Sequence, residues 1–101
     1  LVVIKKDGKR EQFDRDKLKS GIIRSCEKTK VPLEAIEKIV TEVERELRGG
    51  DSVEVESKKI GQMVAARLKK IDKVAYIRFS SVFKRFVDVE DFQEEVKRLI
   101  K

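Results

Sequence analysis

The chain has 101 residues, enough for one domain with its own core, and 40% of them are hydrophobic against 44% charged. Its 25 Lys+Arg outnumber 19 Asp+Glu, and the net charge of +6 favours an anionic partner, although both signs are interleaved as they are on solvated helix faces. One cysteine and no histidine exclude a disulfide framework and any zinc, haem or Cys-His catalytic constellation, so no zinc and no enzymatic chemistry are expected.

No apolar run approaches the ~20 residues of a membrane span and no signal peptide precedes the first strand, so the expectation is a cytoplasmic setting with no membrane partner. The chain begins at Leu1 rather than Met, which suggests a piece of a longer protein.

Residues 1–5 have strand composition, Asp7-Gly8 is the preferred pair for a two-residue hairpin turn, and the chain returns as a second strand over about Arg10 to Phe13. Asp14 is the expected N-cap of a first helix running to about Lys28, with Leu18, Ile22, Ile23 and Cys26 at helical spacing. Pro32, in a first-turn position, and Glu34 open a second helix, whose stripe is Ile36, Ile39, Val40, Val43 and Leu47 and which Gly49-Gly50 ends.

Val53-Glu54-Val55 alternates as a third strand joining the hairpin, because a lone two-stranded hairpin is marginal in water. Ser57 is expected to cap a third helix burying Ile60, Val64, Leu68 and Ile71, and Asp72 a fourth. The fourth is apolar around much of its circumference, through Val74, Ala75, Ile77, Phe79, Val82, Phe83 and Phe86, and is expected to be central. Asp88 begins a last amphipathic helix, residues 88–101, with Val89, Phe92, Val96 and Leu99 on one side.

The fold class that follows is α+β: a small, mainly antiparallel three-stranded sheet packed beside a bundle of four to five helices, all in a single domain over residues 1–101.

The lysines are the oddity. Lys17 falls in the first turn of the first helix, where the helix dipole disfavours a cation by roughly 0.3–1 kcal/mol, and the hairpin brings Lys5 and Lys6 toward the same helix end. Lys58 and Lys59 repeat the arrangement after Ser57. Each lysine alone is most simply a solvated side chain; together they make a polyphosphate site a matched alternative. The glycine-rich phosphate loops are absent, so side-chain charge would have to hold the phosphates.

Glu11 and Asp14 can accept hydrogen bonds from a base amino group or a sugar hydroxyl, although Asp14 is also a plain cap. Val3, Phe13 and Ile60 offer apolar contact, although their spacing also suits an ordinary core. Gly61 costs about 1 kcal/mol relative to alanine inside a helix, which close approach of a ligand or backbone explains better than propensity.

Three blocks, "VVIKKDGKREQFDRDKL", "VESKKIGQMV" and "DKVAYIRFSSVFKRF", stand in the order and at the distances that mark the ATP-cone, and over nearly its whole length the chain resembles that family. The ATP-cone is the nucleotide-sensing module of ribonucleotide reductases and of their bacterial transcriptional repressor. The first block, Val3-Ile4-Lys5-Lys6-Asp7-Gly8, carries lysine where the signature usually has arginine, and so keeps the charge but loses the bidentate fork. The third block is similar to the repressor's segment, with Phe83 where a tyrosine is common.

The resemblance implies ATP or dATP as a regulatory ligand, with Mg2+, and homo-oligomer formation through cone-cone contacts. It implies Val3, Lys5, Lys6, Glu11, Asp14, Lys17, Ser57, Ile60 and Gly61 as ligand positions, with Lys84 or Arg85 on the fourth helix as a further phosphate contact. DNA contact is expected only through the repressor's four-cysteine zinc ribbon, which this chain lacks.

Two alternatives stand beside this regulatory reading: the allosteric cone of a reductase large subunit, and an engineered stand-alone cone. Direct nucleic-acid binding by the basic surface ranks last, since no stacking platform or recognition-helix pattern stands out.

Overall fold

A computed structural model describes residues 1–83 and 96–97 of the chain. Its elements are β1 (Val2–Ile4), β2 (Arg10–Gln12), α1 (Arg15–Ser25), α2 (Leu33–Arg48), β3 (Glu54–Glu56), α3 (Ser57–Ile71) and α4 (Lys73–Phe83). The architecture is α+β, and one cluster of buried side chains, contributed by the sheet and all four helices, forms the core.

The hairpin closes through three residues rather than two. Gly8 N donates to Lys5 O at 2.9 Å and Lys5 N to Lys9 O at 2.8 Å, leaving Lys6, Asp7 and Gly8 as the loop. Gly8, at φ 86, takes the left-handed position that lets the strands keep their twist, and Asp7 Oδ1 accepts from Lys9 N at 3.0 Å.

The sheet order is β2-β1-β3. β1 pairs antiparallel with β2 and parallel with β3, so the sheet is mixed and not mainly antiparallel as expected. The helical return explains the direction. β2 ends beside the start of β1, where Phe13 N donates to Leu1 O at 2.9 Å, and the α1–α2 pair carries the chain out and back to that same end. Val2 N then donates to Val53 O at 2.8 Å, and β3 can only run alongside β1 in its own direction.

Helix α1 is capped as read, with Asp14 Oδ1 accepting from Lys17 N at 3.1 Å. It ends at Ser25, short of Lys28, because Lys28 itself adopts φ 60 and breaks the helical path. Ile23, at 37% exposed, lies off the buried stripe. All five expected stripe residues of α2 are buried, and Pro32 stands one place earlier than expected, at the N-cap.

Ser57 does not cap α3. Glu56 holds the N-cap position without a side-chain hydrogen bond, because the strand continues up to it and Ser57 is already helical. Ile71 is 49% exposed at the last position of α3, after which Asp72 leaves the helix in extended conformation.

Asp72 does cap α4, accepting from Ala75 N at 2.9 Å. Helix α4 packs on both α3 and α1, and Ala75, Tyr76 and Phe79 are buried while Val74 and Val82 face outward. The Phe83 side chain, Phe86 and all of the expected last helix except the helical pair Val96–Lys97 lie outside the described residues.

Ion pairs tie the elements together from outside. Arg67 on α3 reaches Glu42 (3.3 Å) and Glu46 (2.5 Å) on α2, and Arg15 on α1 meets Glu44 at 3.0 Å and Thr41 at 3.1 Å. Across the sheet's outer face Arg10 on β2 spans β1 to Glu54 on β3 at 3.2 Å.

Candidate functional site

Strand register fixes which side chains share a face. Val3 stands opposite Glu11 on β2 and Val55 on β3, so all three project to the core side of the sheet, and Lys5, two residues beyond Val3, follows them. Val3 and Val55 are buried at the centre, while Glu11, on the edge strand, is half-buried.

Two lysines converge on Glu11. Lys17 Nζ, from the first turn of α1, donates to Glu11 Oε1 at 3.1 Å, and Lys5 Nζ lies 3.5 Å from Oε2. The Glu11 carboxyl is held below its ordinary range, chiefly by the hydrogen bond from Lys17. The charges of Lys17 and Lys5 add to this, and desolvation opposes it. The same arrangement shows what makes Lys17 tolerable at a helix N-terminus: Glu11 offsets it from outside the helix, while Asp14 occupies its backbone N–H.

The parallel β1–β3 pair brings in α3. Glu56 pairs with Ile4, so Lys5 and Ser57 leave adjacent strands at the same end of the sheet. Ser57 is half-buried at that end, and the first turn of α3 carries no side-chain cap. Ile60 and Gly61, on the next turn, are buried in the core.

Of the positions singled out in the sequence, Lys5, Glu11, Asp14 and Lys17 therefore come together. Ser57 is at the same end of the sheet, and Val3, Ile60 and Gly61 are core positions. Lys6 is an exposed loop residue of the hairpin, and Phe13 packs partly on the core with the Arg48 guanidinium 5.9 Å from its ring centroid. Lys84 and Arg85 lie outside the described residues.

Sequence reading treated Glu11 as a ligand acceptor and missed its ion pairs. The hairpin register was the signal, since it sets Glu11 opposite Val3 and within reach of Lys5.

A cavity of about 250 Å³ opens at the other edge of the sheet, beside β3, lined by Leu1, Leu47, Val55 and Met63. Among the described residues, Glu46, Asp51 and Glu54 border it with Lys59 as the only cation, a balance unsuited to a polyphosphate. Among the described residues no group of three or more His, Cys, Asp or Glu side chains is placed to hold a metal ion, and no helix is long and apolar enough to cross a membrane.

Among the described residues, a mixed three-stranded sheet backed by four helices, with Lys5 and Lys17 meeting on Glu11 at the end of the sheet where α3 begins, defines a small α+β module that gathers charge from the hairpin and α1. Residues 1–89 match the family model of the ATP cone domain, and the chain belongs to the ATP-cone family.

The chain is 54% identical over 100 residues to a protein of Halalkalibacterium halodurans named transcriptional repressor NrdR, with 99% of this chain and 65% of that protein covered. It is 54% identical over 101 residues to the protein of the same name from Geobacillus sp. strain WCH70, covering 100% of this chain and 66% of that one. For the Symbiobacterium thermophilum protein of that name the identity is 48% over 101 residues, with 100% and 67% covered. The chain thus spans about two thirds of the length of these relatives, and each is named as a repressor rather than as an enzyme.

Proposed function

We propose that the chain is a regulatory module that senses ATP or dATP and couples the bound nucleotide to subunit assembly, within a repressor of ribonucleotide reductase genes. The observation that carries the reading is the meeting of Lys5 and Lys17 on Glu11 beside the start of α3, in a chain of the ATP-cone family. The relatives' name supports the repressor setting over a reductase subunit.

In this reading the nucleotide's phosphates draw Lys5 and Lys17 away from Glu11, with Lys6 in the adjacent loop adding charge. Glu11 and Asp14 are then free to accept from the adenine amino group or the ribose, and Val3 and Ile60 supply apolar contact beneath the base. Gly61 leaves room on α3, Ser57 offers a hydroxyl at the helix start, and Lys84 is a further phosphate contact. Mg2+ would arrive on the phosphates, since among the described residues the carboxylates are too few to cage it and Mg2+ usually keeps substrate oxygens and water as ligands.

The single-residue test is titration calorimetry of Lys5→Ala and Lys17→Ala with each nucleotide. Loss of a hydrogen bond to a charged group, roughly 1.5–3 kcal/mol, predicts binding weaker by about ten-fold or more for each. Parental affinity in both variants would remove the site assignment.

A further inference from the structure

The charge of this chain is segregated in a way that its composition hides. Residues 1–56 hold 13 basic and 13 acidic side chains and residues 84–101 hold five of each, whereas residues 57–83 hold seven basic against one acidic. The whole net charge of +6 therefore resides in α3, α4 and the residue between them. Helix α3 contains Lys58, Lys59, Arg67, Lys69 and Lys70 and no acidic residue at all.

Within α3 the buried residues Ile60, Gly61, Val64, Ala65 and Leu68 occupy one side. At 100° per residue, the opposite side carries Lys58, Lys59, Gln62, Ala66, Lys69 and Lys70, all exposed. Arg67 is set aside from this face by its pairs with Glu42 and Glu46. Among the described residues no carboxylate pairs with Lys58, Lys59 or Lys70, and Lys69 Nζ stands 5.7 Å from the Tyr76 ring centroid, a contact that leaves its charge in place. No aspartate or glutamate of α3 itself interrupts the face; at its edge Lys59 borders the cavity that Glu46, Asp51 and Glu54 also line, while Lys58, Lys69 and Lys70 do not.

We propose that this face of α3 docks the phosphate backbone of duplex DNA, as a surface distinct from the nucleotide site, whose α3 members Ser57, Ile60 and Gly61 lie on the inward side of the helix. The lysines form two pairs eleven residues apart, which at ~1.5 Å per residue is about 16 Å along the axis. That separation lets their flexible arms reach phosphates on both sides of a major groove ~12 Å wide. Between the pairs stand only Gln62 and Ala66, neutral and short enough for close approach.

The chemistry favours nucleic acid over an acidic protein. A protein partner needs a buried apolar or aromatic anchor, and this face exposes none, whereas backbone binding to DNA is polar, wet and carried by cations. Direct nucleic-acid contact ranked last from the sequence because no base-reading pattern is present; backbone docking requires none.

The test is fluorescence anisotropy of a labelled mixed-sequence duplex with the full chain across a salt series. Four phosphate contacts predict a log-log salt slope of roughly −3 to −4. A variant carrying Lys58→Gln, Lys59→Gln, Lys69→Gln and Lys70→Gln is expected to lose affinity by about ten-fold or more and to flatten that slope toward zero. A charge-matched control, Lys9→Gln, Lys30→Gln, Lys38→Gln and Arg45→Gln, is expected to keep most of it, and thermal melts establish that both variants are folded.

Equal losses in the two variants would reduce the effect to net charge and overturn the proposal. So would a parental slope near zero, or binding to polyglutamate as tight as to the duplex, which would indicate an acidic protein partner instead. If the quadruple variant does not fold, the pairs Lys58→Gln/Lys59→Gln and Lys69→Gln/Lys70→Gln, made separately, are each compared with a charge-matched pair from the control, and equal losses again overturn the proposal.

Discussion

Two buried serines give the sharpest check on the core. Ser80 in α4 is 1% exposed, and its Oγ has no hydrogen-bond partner among the described residues. Ser25 in α1 is 5% exposed, but its Oγ donates to Gly21 O at 3.1 Å. Ser80→Ala removes a desolvated hydroxyl that gives nothing back, and alanine is also the better helix former. These terms together are expected to stabilise the fold by about 1–2 kcal/mol.

Ser25→Ala gives up a hydrogen bond of about 0.5–1.5 kcal/mol against a propensity gain of a few tenths, so it should be neutral to destabilising by about 1 kcal/mol. The assay is urea unfolding of the parent and both variants at one pH, with m checked for constancy; a thermal melt should move by roughly 4–8 °C per kcal/mol. A loss of stability in Ser80→Ala would refute the reasoning, by showing that the hydroxyl has a partner worth more than its desolvation.

The backbone and the ion pairs make further predictions. Gly8→Ala meets no neighbouring atom within 4 Å, so its cost is that of φ 86 alone, about 1 kcal/mol by denaturation, and Gly8→Asn should cost less. Lys28, held at φ 60, should give a variant more stable by roughly 0.5–1 kcal/mol on replacement by glycine, read by the same denaturation.

Glu11 titrates below its ordinary range when folded, so its contribution to stability is present above the unfolded carboxylate pKa and is lost as pH falls through the lowered folded value. Glu11→Gln should therefore flatten the acid limb of the stability profile; an unchanged limb would show that the lysines do not hold the carboxylate. Cys26 is buried, and its thiol is pushed up by desolvation and by the nearby Asp72 charge, so alkylation near neutral pH should track unfolding rather than native exposure.

Legibility followed the source of each constraint. Helix α2 was readable in full because its five buried residues form a stripe that needs no partner to be seen, and Asp14 and Asp72 were readable as caps because capping is decided within four residues. The direction of β3 was not. A three-residue strand has no orientation of its own, and only the two-helix return determines that it runs with β1.

Ser57 shows a smaller version of the same limit. The serine is a good cap by type, but the strand extends to Glu56 and moves the helix boundary by one residue. The lysine convergence was visible because a cation in a first turn violates a local rule, whereas the pairing of both lysines with Glu11 depends on hairpin register, which the closing loop, three residues instead of two, sets. The polarity of α3 was hidden by composition, since a helix without carboxylates averages away in a chain whose other segments balance.

The central claim is that this ATP-cone binds an adenine nucleotide where Lys5, Glu11 and Lys17 meet. Its most direct test is calorimetric titration of the chain with ATP and, separately, dATP in the presence of Mg2+, followed by the solution mass with each ligand. The account predicts saturable binding of at least one nucleotide with a defined stoichiometry, and a mass that depends on which is bound. No heat and no thermal stabilisation with either nucleotide at millimolar concentration would contradict it, and would leave the lysine pair as a purely structural partner of Glu11.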